Sequence, residues 1–186
     1  KQEWWKSAVV YQIYPQSFQD SNGDGFGDLT GIIQRLDYLE KLGVDTLWVC
    51  PVFDSPMVDN GYDVKNYYDI MPQFGTLHDY EMLLQEAHKR DMKVIMDVVF
   101  NHTSEDHPWF RQSFDKNSKY HNYYIWRDSA DGHEPNNWKS IFGGSAWEYR
   151  AEADAYYLHL FYKQQPDLNW EEPEVRQELR KILEFW

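Results

Sequence analysis

KVIMDVVF, residues 93–100, decides how the chain folds. The run is almost continuously apolar, the pattern of a parallel strand covered on both faces, and Asp97 is its one acidic interruption. Two further apolar stretches precede it. Val9 to Tyr14 and Thr46 to Cys50, the latter closed by Pro51, have strand length and β-type composition. Between the strands the apolar period changes to that of a helix. Leu29, Ile32, Ile33, Leu36, Leu39 and Leu42 recur at helical spacing and stop at Gly43, and Tyr80, Leu83, Leu84 and Ala87 repeat the stripe behind Thr76, an expected N-cap. A third stripe, Val175, Leu179, Ile182, Leu183 and Trp186, follows Pro173.

Three successive βα units fit either a doubly wound sheet or a (β/α)8 (TIM) barrel, because right-handed crossovers build both. Loop placement favours the barrel. No glycine-rich phosphate turn follows the first strand, and the large polar and aromatic insertions fall after strand ends, where barrel enzymes build their sites. About seventy residues separate the third strand from its helix, too many for a structureless connection. They carry strand candidates at Tyr123 to Trp126 and Ala155 to Phe161. The expected α/β organisation is therefore three barrel units over 1–101, a small α+β subdomain inserted after strand 3 over 102–170, and the third barrel helix over 171–186.

DSNGDGFGD, residues 20–28, sets oxygen donors at alternate positions around a tight glycine turn. Asp20, Asn22 and Asp24 take the first, third and fifth places, Gly25 the turn, Phe26 the carbonyl position and Asp28 the ninth. This predicts a loop for Ca2+, with Mg2+ possible and flexible multi-oxygen coordination favouring calcium; the plainer reading is a surface turn rich in Asp and Gly, which would not need the odd-position spacing. It is not an EF-hand: the twelfth place, where a bidentate Glu belongs, is Gly31, and a β-type run precedes the loop.

Composition narrows the partners. The chain has 186 residues, 42% of them hydrophobic, with 9 Trp, 14 Tyr and 10 Phe, enough for a core. Its 31 acidic and 18 basic residues leave a net charge of -13, which repels nucleic acid and anionic lipid. No membrane span or signal peptide is evident, and the single Cys50, at a strand end, reads as a buried thiol. A soluble cytoplasmic location is expected.

DNGYD at residues 59–63 follows the second strand, and Asn101 and His102 follow the third, so both clusters fall on one barrel face. Asp63 and His102 can bond sugar hydroxyls, and Tyr62 offers a flat apolar face to a pyranose ring. Two of these residues also have a plainer reading, His102 as a bonded strand-end histidine and Tyr62 as packing. Asp97 needs a partner, since an isolated buried carboxylate costs several kcal/mol. Most aromatic side chains of HNYYIW from His121 and NNWKSIFGGSAWEY from Asn136 read as subdomain core, with Phe142 the exception.

Taken together, WWKSAVVYQIYPQSF from Trp4, the 20–28 loop, DNGYD, DVVFNHTS from Asp97, SIFGGSAWEY from Ser140 and YYLHLFYKQQPDLNW from Tyr156 resemble the α-glucosidase branch of glycoside hydrolase family 13, the α-amylase family, especially oligo-1,6-glucosidases and dextran glucosidases. The resemblance implies a barrel with a subdomain after strand 3, retaining hydrolysis through a covalent glucosyl intermediate, and a structural calcium site. It implies that Asp63 holds hydroxyls of a terminal glucose, that Tyr62 stacks beneath the ring and that His102 bonds its 6-hydroxyl. QPDLN, residues 165–169, resembles the signature of enzymes acting on α-1,6 linkages, with Asp167 a structural carboxylate; trehalose-6-phosphate hydrolases share DNGYD and the GGSAW region.

In the family the nucleophile lies on strand 4, the acid/base on strand 5 and a stabilising aspartate after strand 7. Retaining hydrolysis needs two carboxyls about 5 Å apart across the scissile bond, and no residue here takes either role. The chain is thus expected to bind an α-linked gluco-oligosaccharide, to need the remainder of the barrel or a complementing fragment, and to be inactive alone. A non-catalytic, glycosidase-like interaction domain is the alternative of another class. The arginine the family places before its nucleophile would be a natural partner of Asp97, and it too is absent from this chain.

Overall fold

In the computed structural model, which describes residues 3–186, the expected alternation of strands and helices forms. The chain divides into two compact units, Lys1–Asp54 with Asp69–Val98, and Ser55–Tyr68 with Val99–Trp186. Lys1 and Gln2, at the start of the expected barrel segment, lie outside the described residues.

The first unit opens with β1 (Val10–Ile13) and the short α1 (Pro15–Phe18), followed by α2 (Leu29–Gln34) and α3 (Leu36–Leu42). The single helical stripe expected over 29–42 is thus two helices. They break at Arg35, whose φ of -104° and ψ of 4° leave the helical range, and Gly43, at φ 88°, closes the second in the left-handed conformation. β2 (Thr46–Val49), β3 (Phe53–Asp54) and β4 (Asn66–Ile70) follow, then α4 (Leu77–Lys89) and β5 (Lys93–Met96). Thr76 caps α4 as predicted, in a reciprocal capping box with Asp79.

β1, β2 and β5 pair in parallel in that order, with Gln12, Trp48 and Ile95 in register. Leu47 and Val49 are buried, whereas Trp48 is 36% and Ile95 42% exposed. The expectation for residues 93–100 needs correcting on both length and burial. The strand stops at Met96 and its residues alternate between exposed and half-buried; among the described residues β5 pairs with β2 alone, which leaves its other edge unpaired. Asp97 is half-buried and accepts a hydrogen bond from the Trp48 indole N–H at 3.1 Å. The arginine expected as its partner lies outside this chain. Cys50 is buried, as predicted.

The second unit contains α5 (Pro108–Gln112), β6 (Trp126–Arg127), β7 (Trp147–Arg150), β8 (Ala155–Leu158) and α6 (Pro173–Phe185). The β-strands form an antiparallel sheet in the order β6, β8, β7. Phe110 anchors its core, stacked on Trp126 at 5.7 Å and edge-on to Tyr124 and Tyr157 at 5.0 Å. Tyr123, Tyr124 and Trp126 of HNYYIW are buried as the core reading predicts; Trp138, Ile141 and Phe142 are exposed.

Residues 55–68 and α6 belong to this unit. The Tyr67 hydroxyl donates to Val99 O at 2.6 Å and lies 2.9 Å from His102 O, and the Trp186 indole donates to Tyr67 O at 2.7 Å. α6 buries Val175, Leu179 and Ile182; Leu183, expected on that face, is exposed.

Candidate functional site

The 55–63 loop is built on backbone that few residues adopt. Met57, Asn60 and Gly61 have φ of 62°, 52° and 93°, and the Tyr62 amide closes a turn on Asp59 O at 2.8 Å. Such clusters persist where surroundings over-determine them. Here Asp63 supplies the constraint. It is 0% exposed, Oδ2 accepts from Val58 N at 2.9 Å and Oδ1 from Asp59 N at 3.0 Å. The carboxylate predicted to meet sugar hydroxyls is therefore committed to its own turn, and only its remaining lone pairs are available for a ligand.

His102 is buried beside this loop, with Nε2 2.9 Å from Tyr62 O and Nδ1 3.1 Å from Asn101 Nδ2. A carbonyl only accepts and an amide nitrogen only donates, so Nε2 carries the proton and Nδ1 is bare. Burial lowers the imidazole pKa, against the opposing pull of the Tyr62 carbonyl, Asp59 and Asp63. The ring is thus neutral, and its N–H holds the backbone of Tyr62.

Asn101 Nδ2 also reaches Asp167 Oδ1 at 3.3 Å, and Leu160 N donates to the same oxygen at 3.1 Å. Asp167 is buried, and desolvation pushes its pKa up to about 7 despite these two bonds. QPDLN lies against NHTS along the backbone: Leu168 N donates to Asn101 O at 2.9 Å and Thr103 N to Pro166 O at 3.2 Å. Gln165, fully buried, donates from Nε2 to Asp59 Oδ2 at 2.9 Å. QPDLN and DNGYD, 106 residues apart at this bond, are thereby one structure. Sequence reasoning named both motifs but not the bond, and no periodicity or spacing signals a contact across such a separation.

Phe142 is 52% exposed on a turn completed by Gly143 and Gly144, both with positive φ. Its ring lies 5.7 Å from Phe161, which in turn sits 5.2 Å from His102. Tyr62, Asp63 and His102 thus converge, and an aromatic run through Phe161, a residue not singled out beforehand, extends them to Phe142.

The 20–28 loop lies in the first unit. Asp20 accepts from Gly23 N at 2.8 Å and Gly25 N at 2.9 Å, Asn22 Oδ1 accepts from Asp24 N at 3.1 Å, and Asp24 Oδ1 from Phe26 N at 2.8 Å. The Gly25 amide, first among its neighbours, holds the Asp20 carboxyl below its ordinary pKa. Asp28 caps α2 through Gly31 N at 2.7 Å. The donor chemistry suits a hard cation, and Gly25, at φ 92°, makes the required turn. Among the described residues, however, no three His, Cys, Asp or Glu side chains are gathered to hold a metal. The missing twelfth ligand has a steric cause: a Cβ at Gly31 would lie 1.8 Å from Gln19 O.

Among the described residues no helix is long and apolar enough to cross a membrane. The alpha-amylase catalytic-domain profile matches residues 12–186. Over 184 residues the chain is 59% identical to the oligo-1,6-glucosidase of Parageobacillus thermoglucosidasius, covering 98% of this chain and 33% of that protein. It is 57% identical over 183 residues to the trehalose-6-phosphate hydrolase of Escherichia coli strain K12, again covering 98% and 33%. A crystal structure of an isomaltulose synthase variant from Erwinia rhapontici NX5, in complex with D-glucose, superimposes with a TM-score of 0.97 at 56% identity, covering 100% of this chain and 34% of that one. The chain thus spans about a third of the relatives it matches, and its parallel β1, β2 and β5 correspond to the N-terminal part of their (β/α)8 barrel.

Proposed function

The chain belongs to the alpha-amylase family, and from that premise we propose that it is the substrate-binding N-terminal portion of a retaining exo-α-glucosidase that hydrolyses α-1,6 linkages of isomalto-oligosaccharides. The observation that carries the reading is the Gln165 to Asp59 hydrogen bond, which fastens the QPDLN run to the loop bearing Tyr62 and Asp63. Resemblance to the Parageobacillus oligo-1,6-glucosidase supports the linkage. Tyr62 stacks beneath a terminal glucose, His102 sets the backbone on which that ring rests, and Phe142 lines the outer wall. Asp63 shapes the turn and meets a hydroxyl through its remaining lone pairs.

The acidic side chains at this site are already engaged: Asp59 by Gln165, Asp63 by two amides, Asp167 by Asn101 and Leu160. None is placed as nucleophile or acid/base, so those carboxyls belong to residues outside this chain. The 20–28 loop takes a structural calcium ion through Asp20, Asn22, Asp24, the Phe26 carbonyl and Asp28; bound there, the ion would neutralise the loop's acidic oxygens. Binding a neutral sugar fits the net charge of -13, which disfavours nucleic acid. A cytoplasmic location fits the buried thiol of Cys50.

The test is a chimera joining this chain to the remaining two thirds of the Parageobacillus enzyme. Hydrolysis of isomaltose by the chimera, with no turnover by the chain alone, is expected. Turnover by the chain alone would contradict the assignment of the missing carboxyls. A second reading, trehalose-6-phosphate hydrolysis, has the 57% identical Escherichia coli relative behind it, and preferential cleavage of trehalose 6-phosphate by the chimera would select it. A well-folded chimera inactive on both sugars would favour a non-catalytic interaction domain.

A further inference from the structure

Asp167 takes no part in the sugar contacts proposed above, yet a line of hydrogen bonds runs from its carboxyl to the residue that carries them. Oδ1 accepts from Leu160 N at 3.1 Å and from Asn101 Nδ2 at 3.3 Å. The second proton of that amide nitrogen goes to His102 Nδ1 at 3.1 Å, and His102 Nε2 donates to Tyr62 O at 2.9 Å. One –NH2 group therefore links a buried carboxyl to the imidazole that fixes the Tyr62 backbone. All four residues belong to the same compact unit.

The backbone along this line is pinned. Leu168 N donates to Asn101 O at 2.9 Å, Asp167 N to Leu158 O at 3.0 Å and Thr103 N to Pro166 O at 3.2 Å, while the Tyr67 hydroxyl lies 2.9 Å from His102 O. A change of charge at Asp167 is thus met by side chains rather than by the main chain.

Such a change falls near neutrality, because burial pushes the Asp167 carboxyl up to about 7 against the opposing bonds from Leu160 N and Asn101. With Oδ1 taken by two donors, the proton of the neutral form sits on Oδ2. The other titratable groups on the segments packed around QPDLN are engaged elsewhere. His102 is kept neutral by burial, His159 Nδ1 bonds Phe161 O at 2.9 Å, and Glu105 is ion-paired with Arg150. Asp59 accepts from Gln165 and Asp63 from two amides, and burial holds the hydroxyls of Tyr123, Tyr124 and Tyr157 in the neutral form.

We propose that Asp167 is a positioning residue for sugar binding: losing its Oδ2 proton to solvent draws the Asn101 amide away from His102 and loosens the Tyr62 backbone on which the sugar ring rests. An ionised carboxylate takes a shorter and stronger bond than a neutral one, and the 3.3 Å contact to Asn101 leaves room to shorten. Because one nitrogen serves both bonds, what Asp167 gains His102 loses. Sugar is therefore held more tightly below a pH of about 7 than above it. This role rests on the sugar-binding reading above and adds to it the group that sets its pH dependence.

The test uses the 186-residue chain labelled with ¹⁵N at histidine, taken through pH first without sugar and then with isomaltose, with circular dichroism to verify that it stays folded. The ring resonances of His102 are expected to step near pH 7. Isomaltose affinity by calorimetry should fall about threefold between about pH 6 and about pH 8, the weakening of one hydrogen bond. Asp167→Asn keeps the acceptor and cannot ionise, so both changes should vanish, whereas a purely structural Asp167 would leave them in place. Identical pH dependence in wild type and Asp167→Asn overturns the positioning role while the sugar reading stands. A His102 step near pH 7 that Asp167→Asn abolishes, with no isomaltose bound at any pH, removes the sugar reading and keeps the link from Asp167 to His102. If Asp167→Asn does not fold, wild type alone still decides against the role when its His102 resonances show no step near pH 7.

Discussion

Asp20 and Asp167 are carboxylates of the same type in opposite circumstances. Asp20 sits in a surface loop whose own amides surround it, and they hold its pKa down. Asp167 sits at a buried junction of chain segments, where two hydrogen bonds do not offset desolvation and its pKa rises to about 7. The 20–28 loop organises its acidic residues by local turns. At the junction of NHTS, QPDLN and DNGYD, Asp63 is held by its own turn, but Asp59 and Asp167 are held by Gln165 and Asn101, partners far away in sequence. The lesson is that the same side chain is held towards the charged form in Asp20 and pushed towards the neutral form in Asp167, and what sets the difference is access to water.

The sharpest way to break the loop is steric. Gly31→Ala places a methyl group 1.8 Å from Gln19 O, both of them in backbone that cannot swing aside, and should destabilise the chain by about 3 kcal/mol in urea unfolding. Wild-type-like stability would mean that the loop relaxes freely. Calcium should act on the same region alone. At a hundredfold excess over its dissociation constant it should add about 2.7 kcal/mol, seen as a higher Tm that a chelator reverses and Asp24→Ala reduces. A Tm indifferent to calcium would remove the proposed ion.

At the junction, Gln165→Ala deletes the bond to Asp59 and leaves the Tyr162 amide without Gln165 Oε1. A loss of about 2 kcal/mol is expected, with weaker isomaltose binding measured by calorimetry. Unchanged affinity would show that the link does not shape the sugar site.

The two carboxylates should also separate by pH. For Asp167 the folded pKa, about 7, lies above the ordinary 3.8, so between those values the folded chain binds more protons and stability falls as pH rises. The slope is at most about 1.4 kcal/mol per pH unit. Asp167→Asn keeps an acceptor for Asn101 and Leu160, and its unfolding free energy should lack that component across pH 4 to 7. Asp20 has the reverse sign. Its folded pKa is depressed, so its contribution is present above the unfolded value and is lost as pH falls through the folded one. Parallel pH profiles for wild type and Asp167→Asn would show that Asp167 is ionised throughout.

Residue patterns made much of this legible. The positions of β1, β2 and β5, the cap at Thr76 and the turn at Gly25 follow from spacing within a few residues, because strand period, capping and left-handed glycine are local properties. The motif set named the family, and the profile match over residues 12–186 agrees. Other features were readable only once the segments had met. That α2 and α3 divide at Arg35 is invisible to a continuous apolar stripe. Asp63 turns inward to two amides, the Trp48 indole meets Asp97, and Gln165 reaches Asp59.

By itself, then, the sequence determined which elements form and which loops carry oxygen donors, since those depend on neighbours along the chain. Only the tertiary structure decided which carboxylates are buried and what each one bonds. Desolvation and long-range hydrogen bonds exist only after distant segments pack, and no local pattern encodes them.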